Sequence, residues 1–352
     1  MARKINDKYS YSYDIIRIIA VFLVIFTHTG KIGSKIYAFE GILNPDTIGY
    51  IGLDIIRTVN VPLFFMVSGA LLLGKQESYK KILEKRIVKY ALTLCAVAAV
   101  YYFIVHKHSW NEIGILLRGL YRNDNSIVEF HLWFLYAYTG YLVLLPFLRK
   151  IAAQMTIQDF RYFLILGFLF KGMERILNGG AGLGAFAVSF VLGYDLIFYP
   201  LFGYCMSHLL SEKYYNKKYL FIGIVGSVIC IVVTAFMMVF DFSQTGAWSE
   251  RYLDMFTMIP TGTIFYAVML IEQKVKLNSN CCRVLSFCGS NVLGIYLFSE
   301  MFSPIVKEKV YEPLSAYMPS LLACIVMILA NMGLGLLLTS ILRCIPIVKK
   351  LL

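Results

Sequence analysis

Arg17 and His28 stand eleven residues apart around one apolar run, Ile15 to Thr29. At 100° per residue that spacing is only about 20° past three full turns, so both side chains project from one helix face, about 16 Å apart along the axis. The two types suit different tasks. A guanidinium fork matches the oxygens of phosphate or carboxylate. An imidazole titrates near neutrality and can take a proton from a hydroxyl, which is otherwise a poor nucleophile. Taken singly, Arg17 also reads as a snorkelling or cytoplasmic-side basic residue, and His28 as a hydrogen-bonded histidine in helix packing. Their common face argues against two coincidences.

Further ionisable residues fall in apolar surroundings, where each is a functional candidate because its burial is costly. Asp54 and Arg57 are spaced i,i+3 and could neutralise each other. The stretch Pro62-Leu63-Phe64-Phe65-Met66-Val67-Ser68-Gly69 ends in small residues that permit close helix approach. Lys85, Arg86 and Lys89 follow; they read as a solvated face or as a dock for the phosphates of a cytoplasmic donor. His131 and Trp133 open another apolar run, with Trp133 also suited to anchoring at the membrane interface. Glu300 follows Tyr296-Leu297-Phe298-Ser299 and also fits a helix end in the headgroup region. No P-loop, GxSxG, HExxH or strand–helix GxGxxG occurs, so ATP-driven transport and soluble hydrolase chemistry lack support. The eight cysteines show neither disulfide nor zinc spacing, and no metal site is expected.

The elements that must position these residues are membrane helices. Hydrophobic residues make up 59% of the 352-residue chain and charged ones 15%, against roughly a quarter charged in soluble domains. Runs of about 20 apolar residues cross a bilayer. Ten spans are expected: Tyr13–Thr29, Ile51–Leu73, Ile87–Val105, Leu132–Leu148, Tyr162–Leu177, Ser189–Leu210, Tyr219–Phe240, Leu253–Ile271, Val284–Phe302 and Ser320–Leu342. The fold class is therefore all-α and polytopic, one membrane-embedded domain over residues 1–352, with no separate soluble domain and no cleaved signal peptide. With the N-terminus inside, 21 of the 33 Lys and Arg fall on the inner side and 8 on the outer, while Arg17, Arg57, Lys171 and Arg175 lie within spans. That bias places both termini in the cytoplasm. The net charge of +12 is dispersed over many short loops, which speaks against nucleic-acid binding.

The same residues resemble the acyltransferase-3 family of membrane proteins, which O-acylate carbohydrates at bacterial surfaces. Tyr13-Asp14-Ile15-Ile16-Arg17 followed by Phe26-Thr27-His28 looks like the family's first-helix arginine, ten residues and histidine. Pro62 to Gly69 looks like its proline, paired aromatics and Ser-Gly. Lys85-Arg86 with Lys89 is similar to its basic segment, with lysine at the usual second arginine. His131-Leu132-Trp133-Phe134-Leu135 matches its tryptophan motif, and Asn291 to Leu297 its late Tyr-Leu motif. Many members place a histidine soon after that motif, where this chain has Ser299 and Glu300. The membrane half of some serine racemases looks similar too.

The resemblance implies transfer of an acyl group, acetyl above all, from acyl-CoA to a hydroxyl of a cell-surface or lipid-linked carbohydrate, in a bacterial inner membrane. Acetyl-CoA would be a co-substrate, with no tightly bound cofactor. His28 and Arg17 are the catalytic candidates, with His28 the base and Arg17 and Arg86 holding donor phosphates. Lys85, Arg57, Asp54, Ser68, His131, Trp133 and Glu300 complete the expected binding set. The alternative is a transporter or flippase of a glycan, lipid or amino acid without covalent chemistry, which the intramembrane charges would also suit.

Overall fold

The computed structural model describes residues 10–33, 45–169, 172, 195–210, 214–246, 250 and 252–352, and no strand occurs among them. The helices are α1 (Tyr11–His28), α2 (Pro45–Arg57), α3 (Asn60–Leu72), α4 (Tyr79–Val105), α5 (Ile113–Arg122), α6 (Trp133–Gln154), α7 (Ile157–Phe168), α8 (Asp195–His208), α9 (Lys217–Thr245), α10 (Met258–Lys274), α11 (Ser279–Ser290), α12 (Val292–Ser315), α13 (Ser320–Leu342) and α14 (Pro346–Leu351).

Helix α9 shows which solvent the molecule is built for. Its buried residues are Ser227, Cys230, Thr234, Met238 and Asp241. Its exposed ones include Phe221, Ile222, Val228, Ile229, Val232 and Phe236, the last 64% accessible. Small and polar groups face the bundle and large apolar groups face outward, which is the reverse of a helix in water. Hydrocarbon is the surrounding that satisfies this arrangement. The chain is a multi-pass membrane protein.

Among the described residues, six helical segments are long and apolar enough to cross a membrane: Tyr11–His28, Ile51–Leu72, Tyr79–Val105, Phe130–Gln154, Lys217–Thr245 and Ser320–Leu342. A seventh exists if α11 and α12, bent by 63°, count as one. The expected ten spans are therefore not confirmed among the described residues. The expected Val284–Phe302 span is broken at Asn291, whose side-chain amide donates to the Phe287 carbonyl at 2.7 Å. Arg343 fastens the break, donating to the Asn291 side-chain oxygen at 2.7 Å and to the Ser290 carbonyl at 3.3 Å. The expected Leu253–Ile271 span becomes the 17-residue α10, entered through turns at 252–257. The expected spans Tyr162–Leu177 and Ser189–Leu210 lie partly outside the described residues; their described parts are α7, 12 residues, and α8, 14 residues.

Helix α1 is central, packing against α3, α10, α11, α12 and α13. Its neighbour α3 runs against α8 in backbone contact. A Cβ on Gly69 would lie 1.9 Å from the Pro200 carbonyl oxygen, and one on Gly203 would lie 2.0 Å from that of Met66. Glycine at these two positions is what lets the helices meet. A Cβ on Gly289 would strike Asp14 at 2.3 Å, so α11 likewise closes on the first turns of α1.

Candidate functional site

His28 is the last residue of α1, and its ring lines a cavity of about 680 Å³. Neither ring nitrogen has a hydrogen-bond partner among the described residues. The ring instead meets His131 and Phe130 edge-on, each at a centroid distance of 6.4 Å. An imidazole left unpartnered against a cavity is free to exchange a proton with whatever enters.

His131 sits in the turn Phe130–Leu132 that leads into α6. It is 4% exposed, with Tyr101 and Tyr296 packed edge-on at 5.3 and 5.8 Å. Its Nε2 is buried without a partner among the described residues, the kind of orphaned polar atom that a ligand can satisfy. The Tyr296 hydroxyl donates to the His131 carbonyl, and Tyr101 donates to the Leu297 carbonyl at 3.0 Å. The tryptophan motif and the late Tyr-Leu motif are thus one structural unit, although far apart in sequence.

Polar groups are set among the apolar side chains of the remaining wall, which include Val24, Val61, Pro62 and Phe64. Asn60 donates to the Thr27 hydroxyl at 2.9 Å, and Thr58 bonds Thr257 at 3.0 Å. Asp195, Glu250 and Asp254 also line it, as does Trp133, 37% exposed. Arg57 lines it while paired to the fully buried Asp54, with Glu250 3.9 Å away. The sequence reading missed the three carboxylates. Asp195 interrupts an apolar run, and Glu250 and Asp254 belong to no motif.

Arg17 faces a second cavity of about 230 Å³, lined also by Ser68, Lys89, Tyr90, Tyr138 and Ser290. Its guanidinium pairs with Asp14 at 3.1 Å and remains 32% exposed. Ser68 donates to the Tyr138 hydroxyl at 3.2 Å. Two cations, Arg17 and Lys89, therefore border one small polar cavity. Phe64, Phe134 and Tyr296 line both this cavity and the larger one, so the two share a wall.

Three expected site residues lie elsewhere. Arg86 grips Glu77 with both arms, Nε at 3.0 Å and a terminal nitrogen at 2.9 Å, and lines neither cavity. Arg149 joins the same carboxylate at 2.8 Å while donating to the Leu72 carbonyl at 2.9 Å, and Lys81 approaches at 3.3 Å. The hydrogen bonds from Arg86, chiefly, hold the Glu77 carboxyl down to about 2 against its desolvation. This cluster ties the α3–α4 loop to α6. Lys85 is exposed and also lines neither cavity. Glu300 lies close enough to Tyr101 to act on it electrostatically, not on either cavity wall. A third cavity, about 530 Å³ between α7, α8, α9 and α10, is almost wholly apolar.

An acyltransferase-domain family model matches residues 10–339, nearly the whole chain. The chain belongs to the acyltransferase-3 family. It is therefore a membrane acyltransferase, and the ordered motifs from Arg17 to Tyr296 fall within the matched residues. No curated protein and no solved structure matches it. Within this acyltransferase the structure gathers His28, His131, Trp133 and Arg57 at one cavity, with Asp54 buried behind Arg57, and Arg17 and Ser68 at the other.

Proposed function

We propose that this acyltransferase moves an acetyl group from acetyl-CoA, entering from the cytoplasm at the Arg17 cavity, to a hydroxyl of a cell-surface or lipid-linked carbohydrate held at the His28 cavity. The observation that carries the reading is that Arg17 and His28, on one face of α1, line two adjoining cavities of different character. The Arg17 cavity is small and cationic and suits donor phosphates. Lys89 takes the supporting role that the sequence reading gave to Arg86. The His28 cavity is larger and carries hydroxyl, amide and carboxylate groups among apolar and aromatic side chains, which suits a polyhydroxylated acceptor.

His28 acts as general base. Its free nitrogen takes the proton of the acceptor hydroxyl as that oxygen bonds to the thioester carbonyl carbon. The carbon–sulfur bond then breaks, and the imidazolium returns the proton to the departing thiolate. An ester and free CoA result. Asp195, Glu250 and Asp254 accept hydrogen bonds from neighbouring sugar hydroxyls, and the orphaned His131 Nε2 accepts one more. The setting is a bacterial inner membrane with both termini cytoplasmic, as the distribution of basic residues favours.

Radiolabelled acetyl-CoA, purified protein in lipid nanodiscs and a panel of bacterial glycans test this. Label should move to an alkali-labile ester on glycan. A protein that binds glycan and acetyl-CoA yet transfers nothing to any hydroxyl would contradict the reading.

A further inference from the structure

The wall shared by the two cavities consists of three aromatic rings from three helices: Phe64 of α3, Phe134 of α6 and Tyr296 of α12. Phe134 is the middle ring. Its centroid lies 5.6 Å from those of both Phe64 and Tyr296. Phe65 and Tyr138 stand against it at 5.7 Å each. Rings at these separations are in van der Waals contact. Phe134 itself is 9% exposed, and Phe64 is half-buried. Arg17 and Lys89 stand on one side of this wall and the two histidines on the other. Any donor whose phosphates stay at Arg17 must send its thioester between these rings to reach His28.

Resting on the donor and acceptor sides assigned above, we propose that Phe134, braced by Phe64 and Tyr296, is the partition between the two cavities and sets the largest acyl group delivered to His28. The acceptor cavity does not impose this limit, because its volume of about 680 Å³ is generous for an acetyl group. The constriction lies in the wall. The partition also keeps the carbohydrate side from communicating with the donor side when no pantetheine arm occupies the gap. Phe64 is the ring with room to turn, and its movement opens the passage.

Two measurements test the proposal. The first compares acetyl-, butyryl- and hexanoyl-CoA as donors for wild type, Phe134→Leu and Phe134→Ala. One or two methylenes in an apolar constriction shift discrimination by about tenfold or more, so the hexanoyl-to-acetyl ratio of kcat/KM should rise by at least about that factor in Phe134→Ala and by less in Phe134→Leu. An unchanged ratio in both folded variants overturns the size limit. The second needs no acyl transfer. Val61 and Ser290 each line one cavity only. Val61→Cys and Ser290→Cys, in a chain whose eight native cysteines are replaced by alanine, are treated in sealed vesicles with a charged methanethiosulfonate reagent. With Phe134 present each cysteine should react from one face only, and with Phe134→Ala Val61→Cys should react from both. Reaction from both faces with Phe134 present overturns the partition. Should wild type accept no acyl-CoA, the labelling result alone decides the partition, and the failure belongs to the donor assignment.

Discussion

The Tyr296 hydroxyl donates to the backbone carbonyl of His131, joining the N-terminal part of α12 to the turn that begins α6. Through that bond the position of His131, and of the His28 ring packed against it, depends on a helix far along the chain.

Tyr296→Phe keeps the ring of the aromatic wall and removes only this bond. A buried carbonyl that loses its donor costs about 1–3 kcal/mol. Thermal unfolding should fall modestly. Acyl transfer should fall about tenfold in kcat, with the acetyl-CoA KM little changed. An unaltered kcat at a lowered melting temperature would make the bond purely structural.

Arg17→Ala should raise the KM for acetyl-CoA well above its effect on kcat. It should also lower stability, because Asp14 is 6% exposed and loses its guanidinium partner. Arg17→Lys should recover only part of the affinity, since an ammonium keeps the charge without the fork. Lys89→Ala separates the two effects. It removes a cation from the same cavity and leaves the Asp14 pair intact, so it should raise the acetyl-CoA KM with little loss of stability.

Glu77 predicts a pH dependence of stability. Its folded carboxyl is depressed to about 2, so the stabilisation from Arg86, Arg149 and Lys81 is fully present above the ordinary carboxylate range and is lost as pH falls from about 4.5 through about 2. Glu77→Gln should therefore unfold more easily than wild type at pH 7, and the gap should close over that window. Arg86→Ala should lower the melting temperature and leave the acetyl-CoA KM within about twofold. A large KM increase at normal stability would return Arg86 to the donor site.

The common face of Arg17 and His28 was legible from spacing alone, because helix periodicity depends on nothing beyond the chain itself. The ordered motifs placed the chain in its family for a related reason, since each is a short local run. The pairing of Arg86 with Glu77 could not be read from the sequence, because a basic cluster looks alike whether it waits for a phosphate or is already neutralised. The break at Asn291 was signalled by Gly289-Ser290-Asn291, but its fastening by Arg343 depends on a distant helix. Ten spans are not confirmed among the described residues, because apolarity marks burial without saying in what. Helix α8 is apolar because it packs into the bundle against α3 and α6, and at 14 residues it is too short to cross alone. Asp195, Glu250 and Asp254 reach the site only through tertiary packing and no motif marks them, whereas Lys89 belongs to the basic motif and only its turning toward the Arg17 cavity depends on packing.

The proposed proton transfer runs from the acceptor hydroxyl to His28. Single-turnover transfer from acetyl-CoA to glycan, measured for wild type, His28→Ala, Arg17→Ala and the double variant, tests it most directly. Loss of a general base costs about 10²–10⁴-fold, so His28→Ala should lose that much in rate while its melting temperature and acetyl-CoA affinity stay near wild type. The double variant should be little slower than His28→Ala once donor is saturating, because residues acting in one step are not additive. A folded His28→Ala protein that transfers acetyl at close to the wild-type rate would contradict the account.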